Sequence, residues 1–189
     1  MNRIFPGMRV ARLCRTLPIA LLLIGISACA PLTRTVGQPQ QAPNRVQAGE
    51  RLLTSGQPAM TELRALQPGQ FAMVIDLAPR EHGLSSADEA RILAARRIAY
   101  IAIPVDLEQP REMDFELFSA SLNAAHQPVW IHCQRNQRAS MFVFLYRVIE
   151  LHAEPEEAYE KVTEVWVPTA EWVRFANRIL SRRQIAFRL

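Results

Sequence analysis

Three cysteines among 189 residues, Cys14, Cys29 and Cys133, leave little room for a disulfide-stapled fold. Long apolar runs are missing as well. The strongest, Leu17 to Ile26, is ten residues long and broken by Pro18, Ala20 and Gly25, whereas a membrane-spanning helix needs ~20. Histidine is scarce, and His82, His126 and His152 lack the spacing of metal ligands, so the sequence indicates no metal site. No internal repeat is visible. The apparent excess of positive charge also dissolves on inspection. Arg3, Arg9, Arg12 and Arg15 lie in the first 28 residues, which hold no acidic residue. Of 22 basic residues this leaves 18, against 18 acidic ones. A neutral remainder gives no reason to expect nucleic acid as a partner.

What is present begins with that basic, apolar leader, which reads as a targeting segment to be set aside before fold reasoning. It runs into Ile26-Ser27-Ala28-Cys29, which resembles a bacterial lipobox. The resemblance implies cleavage before Cys29, lipid attachment to it, and a domain anchored in the cell envelope facing the periplasm. Ala30 after the lipobox lacks the aspartate that resembles an inner-membrane retention signal, so the outer membrane is the expected side. Residues 1–28 are thus assigned as signal and 29–48 as a flexible tether, rich in Pro, Gln and Thr over Ala30 to Asn44. Residues 49–189 are assigned as one domain. Once Cys14 leaves and Cys29 is acylated, Cys133 is the only free thiol.

Within the domain, Arg51 to Ser55 reads as a short strand ending in the turn Gly56-Gln57-Pro58. Thr61 opens a short helix stopped by Pro68-Gly69. Phe71 to Leu77 is a near-continuous apolar run, as a strand covered on both faces requires. After a polar loop from Arg80 to Ser85, Ser86 and Glu89 form a capping-box pattern for a helix reaching about Arg97. Tyr100 to Val105 is the next strand, Asp114 to Ala125 a helix, and Pro128 to Cys133 a strand. Helices over Ala139 to His152, Glu156 to Trp166 and Ala170 to about Arg183 close the chain, with Trp166, Trp172 and Phe175 as core anchors. The alternation predicts an α/β fold: a central, mainly parallel sheet flanked by helices, with a helical C-terminal part.

The segment His132-Cys133-Gln134-Arg135-Asn136-Gln137-Arg138-Ala139-Ser140 joins the last strand to the helix after it. A helix N-terminus and a nearby arginine both favour a thiolate, the reactive form of cysteine. The same features bind a tetrahedral oxyanion, so this corner offers a nucleophile and an anion cradle together. Backbone N–H groups from Gln134 to Arg138 (through Arg135, Asn136 and Gln137) would carry most of the binding. Asn136 suits a left-handed turn in that loop. Asp106, just past the strand ending at Val105, can reach the same sheet edge and serve as general acid, with Glu108 and Asp114 as fallbacks.

His-Cys-loop-Arg-Ala-Ser between strand and helix resembles the cysteine-dependent protein tyrosine and dual-specificity phosphatase superfamily. The small bacterial phosphatase-like members are nearest in pattern, on Ser55-Gly56-Gln57-Pro58, Ile101 to Val105, and Arg138-Ala139-Ser140 running into Phe144-Leu145-Tyr146-Arg147. The resemblance implies hydrolysis of a phosphate monoester, on a protein or a small molecule, through a phosphocysteine at Cys133. Arg138 would grip the phosphoryl oxygens and Ser140 would assist departure of the thiolate. His132 would fix the loop, Asp106 would protonate the leaving group, and no cofactor or metal would be needed. The loop departs from the pattern: four residues, not five, separate Cys133 from Arg138, and Asn136 replaces a glycine. Four residues also match the active loop of rhodanese-type sulfurtransferases, where Cys133 would carry a persulfide. A catalytically silent anion-binding module is the third reading.

Overall fold

The apolar runs become the centre of a five-stranded sheet in the order β1-β2-β5-β3-β4. This computed structural model describes residues 41–79 and 86–189. The leader, Cys29 and the loop from Arg80 to Ser85 lie outside the described residues, as does the Ser86 side chain expected to cap a helix. The strands are β1 (Val46–Gln47), β2 (Leu52–Ser55), β3 (Met73–Asp76), β4 (Ala99–Ala102) and β5 (Val129–His132). β2, β5, β3 and β4 run parallel, and β1 pairs antiparallel with β2 at the edge. The mainly parallel α/β architecture is therefore present.

Side chains alternate across a strand, and the register aligns them in rows. Leu53, Trp130 and Val74 lie side by side, then Thr54, Ile131 and Ile75, then Ser55, His132 and Asp76 at the carboxyl edge. Helices α1 (Met60–Ala65) and α2 (Ser86–Ala94) accompany a smaller core containing Leu53, Leu63, Val74, Leu93 and Trp130. Helices α3 (Glu112–Asn123), α4 (Gln137–Ile149), α5 (Pro155–Thr163) and α6 (Ala170–Arg182) build the larger one. Its centre is Phe142, whose ring lies 5.4–6.0 Å from those of Phe115, Phe118, Phe175 and Trp172. Every residue of α4 from Arg138 to Val148 is buried, so this helix is a central pillar. Trp172 and Phe175 are fully buried, as the sequence suggests, whereas Trp166 is only partly so.

Two details differ from the sequence expectation. Residues 46–47, grouped by composition with the tether, form β1, and Ala42, Val46 and Ala48 are buried. Asp114 lies inside the first turn of α3, where its two oxygens accept from Arg111 at 3.0 and 2.7 Å. The arginine three residues before it anchors the carboxylate locally. No helix among the described residues is long and apolar enough to cross a membrane.

Candidate active site

β5 delivers the cysteine to the carboxyl edge of the sheet, where ligands bind in parallel α/β folds. The Cys133 N–H donates to the Ser55 carbonyl at 3.3 Å. Its side chain has no exposed surface and packs into the larger core, while His132, one residue earlier, points to the opposite face. Cys133 is free, with no disulfide partner.

After it the chain turns sharply at Asn136, which has φ 68° and ψ 2° and stands at the N-cap of α4. Such a left-handed backbone is tolerable in asparagine, and here the amide nitrogen makes two bonds while Oδ1 has no partner among the described residues. Asn136 Nδ2 donates to the Asn44 carbonyl at 2.6 Å and to Thr54 Oγ1 at 3.0 Å. Among the described residues no side chain caps the N-terminus of α4, so its leading N–H groups stay available to an anion. Gly56 runs beside the loop so closely that a Cβ there would lie 2.8 Å from the Gln134 carbonyl oxygen and 2.7 Å from Pro43 Cγ. Only glycine fits this crossing.

Arg138 is the second feature with chemical consequence. Its residue is 4% exposed, and Nε has no hydrogen-bond partner. It forms no ion pair with a carboxylate among the described residues. A guanidinium keeps its charge and is costly to bury alone, so an incoming oxyanion is its natural complement. Outside the loop lies an open depression of about 530 Å³ lined by Leu107, Gln134, Arg135 and Gln137. Arg135 is exposed, and Gln134 and Gln137 are half-buried. Ser140 Oγ donates to the Gln137 carbonyl at 3.1 Å, which places its hydroxyl on the first turn of α4.

Asp106 is exposed, on the loop whose next residue, Leu107, borders that depression. Its Oδ1 accepts from the N–H groups of Glu108 and Gln109 at 2.7 and 3.2 Å, a local turn that fixes the carboxylate. Trp172 Nε1 donates to the Leu107 carbonyl at 2.8 Å and ties this loop to α6. Glu108 is exposed, and Asp114 is committed to Arg111.

Beneath the loop, the sequence reading missed a buried polar cluster. His132 Nδ1 lies 3.6 Å from Asp76 Oδ1, and Nε2 lies 3.3 Å from Glu89 Oε2, with all three residues buried. Asp76 also accepts from Tyr100 Oη at 3.0 Å and from the Ala78 N–H at 2.8 Å. Glu89 accepts from Gln57 Nε2. Burial holds the Asp76 carboxyl above its ordinary range; the imidazole and the Ala78 N–H oppose this, and Glu89 adds to it. Donor atoms of Asp76, Glu89 and His132 lie within 4.8 Å of one another. Each ring nitrogen faces a different carboxylate, but neither contact has hydrogen-bond geometry, so the ring stands between the two acids without bonding to them. His132 thus sits where it can support the loop through this cluster. One signal was available: Asp76 is the lone charge in the apolar run Phe71 to Leu77.

A mostly parallel five-stranded sheet flanked by helices is also the α/β fold of several solved phosphatase structures. Among solved structures, a proposed phosphatase (DUF442) from Shewanella putrefaciens CN-32 superposes with a TM-score of 0.67 at 25% identity. The match covers 75% of this chain and 92% of that one. Tk-PTP in its active form gives 0.63 at 19% identity, over 74% and 98% of the two chains. The core catalytic domain of the S. cerevisiae PP-IP phosphatase SIW14 gives 0.60 at 16%, over 78% and 96%. No family model and no curated protein matches the chain.

Proposed function

We propose that this protein is a cysteine-dependent phosphatase that hydrolyses phosphate monoesters through a phosphocysteine at Cys133. The observation that carries the reading is the buried Arg138 guanidinium, five residues after a cysteine and beside a helix N-terminus; among the described residues no carboxylate pairs with it and no side chain caps that terminus. Preorganised donors of this kind stabilise the charge that spreads over phosphoryl oxygens in transfer. The phosphatases among the structural relatives support it.

In the proposed mechanism the Cys133 thiolate attacks phosphorus, forming an S–P bond as the P–O bond to the leaving group breaks. Asp106 gives its proton to the departing oxygen, because an alkoxide leaves poorly. Water then attacks phosphorus, giving one of its protons to the Asp106 carboxylate, and the S–P bond breaks to release phosphate and the thiolate. Arg138 and the N–H groups of the loop hold the nonbridging oxygens throughout. The sulfur is covered at rest, so a bound phosphoryl group has to open the loop locally to reach it. Substrate enters over Gln134, Arg135 and Gln137.

The four-residue spacing between Cys133 and Arg138 favours a second reading, a sulfurtransferase with a Cys133 persulfide. The leader supports a further proposal, a lipid anchor at Cys29 that holds the domain on the periplasmic side of the envelope, at the outer membrane. Metabolic labelling with a fatty acid, compared with Cys29→Ser, tests the anchor; membrane fractionation tests the location.

Hydrolysis of an aryl phosphate by the reduced full-length protein tests the main reading. Cys133→Ser is expected to abolish turnover, a loss of at least about a thousandfold. Turnover equal in mutant and parent rejects it. Cyanide-dependent sulfur transfer from thiosulfate in its place would establish the sulfurtransferase.

A further inference from the structure

We propose that Asn44 is a positioning residue of the cysteine loop, holding it in anion-binding shape from outside. The proposal rests on the anion-binding role given to the loop above. A four-residue loop without glycine has few internal means of fixing its peptide planes. Each of its first three carbonyls instead meets a donor. Gln57 N–H donates to the Gln134 carbonyl at 3.2 Å, and Asn44 Nδ2 to the Arg135 carbonyl at 3.0 Å. Ser140 N–H donates to the Asn136 carbonyl at 2.9 Å. The first and third donors are main-chain groups fixed by their neighbours in sequence. The middle one is a single side chain, 91 residues away along the chain.

Asn44 is built to hold that position. Asn136 Nδ2 returns a bond to the Asn44 carbonyl at 2.6 Å, so the two asparagines clasp each other's main chain. Asn44 has φ 50°, a left-handed turn that points the segment back at the loop. The residue before it is fixed too: the Pro43 carbonyl accepts from Gly56 N–H at 2.7 Å, and Ala42 is buried in the smaller core. Residues 42–44 therefore form a strap across the loop. Without the amide the Arg135 carbonyl loses its donor, and although the bridge to Gly56 still holds the residue, the peptide after it can tilt its carbonyl dipole toward the cradle. A carbonyl there repels the oxyanion that the helix N-terminus and Arg138 attract.

Alkylation of Cys133 in the full-length protein tests this, followed by peptide mass spectrometry so that Cys14 and Cys29 do not interfere. Iodoacetate carries a carboxylate that the cradle attracts, whereas iodoacetamide is neutral and of similar size. The ratio of their rates reads the cradle, independently of turnover. Asn44→Gly keeps the left-handed backbone and loses the amide; it should lower the ratio about fivefold to tenfold, the worth of one hydrogen bond. Asn44→Asp keeps the shape but sets an acceptor against the Arg135 carbonyl, and should lower it at least as far. A ratio within twofold of the parent in both variants overturns the proposal, as packing alone is preserved in Asn44→Asp. A parent ratio near one, by contrast, rejects the anion cradle itself. The strap is then judged on iodoacetamide alone: faster labelling in Asn44→Gly supports it, and an unchanged rate rejects it.

Discussion

On one side of the sheet Phe115, Phe118, Phe142, Trp172 and Phe175 meet ring to ring. On the other, Ser55, Asp76, Glu89 and His132 are buried together beneath the cysteine loop. Both regions are buried, yet they are held by different physics. The aromatic side gains from burial and from edge-on and offset ring contacts, which tolerate small shifts. The polar side gains little net stability from each contact and loses much if one partner goes. Cys133 belongs to the first region and His132 to the second. The two residues that define the motif thus look in opposite directions, one onto a stiff apolar backing and the other into a cluster of titratable groups.

The comparison breaks most visibly at Phe142. Truncation in Phe142→Ala should destabilise the fold by about 3–5 kcal/mol, the usual cost of emptying such a core site. Urea unfolding measures it, and a loss under 1 kcal/mol would show that the aromatic side is loosely packed. Less is expected of His132→Leu. It leaves Asp76 and Glu89 buried without the imidazole between them, at about 1–3 kcal/mol. Should it prove neutral or stabilising, the polar cluster is dispensable to folding and its retention has to be sought in the loop.

The smallest effect is one of slope with pH. Burial raises the Asp76 carboxyl above its ordinary 3.8, so the folded state binds that proton more tightly than the unfolded chain. The stability it contributes is fully present below pH 3.8 and is lost as pH rises through the folded value. Asp76→Asn has no such loss. The difference in unfolding free energy should therefore move in favour of the variant between pH 4 and pH 7. A difference that is flat, or that moves the other way, would mean the imidazole outweighs desolvation at Asp76.

These two regions were unequally legible in the sequence. The aromatic side announces itself through helical periodicity and apolar strands, and the strand–cysteine–helix corner through composition at one point. The polar cluster is assembled from Asp76, Glu89 and His132 on three separate elements. Glu89 shows why it was hidden. Three residues after Ser86 it fits a capping pattern, whereas its carboxylate turns inward to Gln57 and His132. Asn136 could be read because a left-handed turn has a local residue preference. Asn44 could not, since its contact with Arg135 is set by how the sheet edge folds back and by nothing local.

The strap also fixes where the domain can be cut. Ala42 is buried and Asn44 clasps the loop, so a protease acting before Ala42 sheds the domain with its clasp still attached. Cleavage a few residues later, after Asn44, removes the clasp together with the preceding chain. Separation of the domain from the chain before it and disarming of the loop are then the same event, decided by three residues.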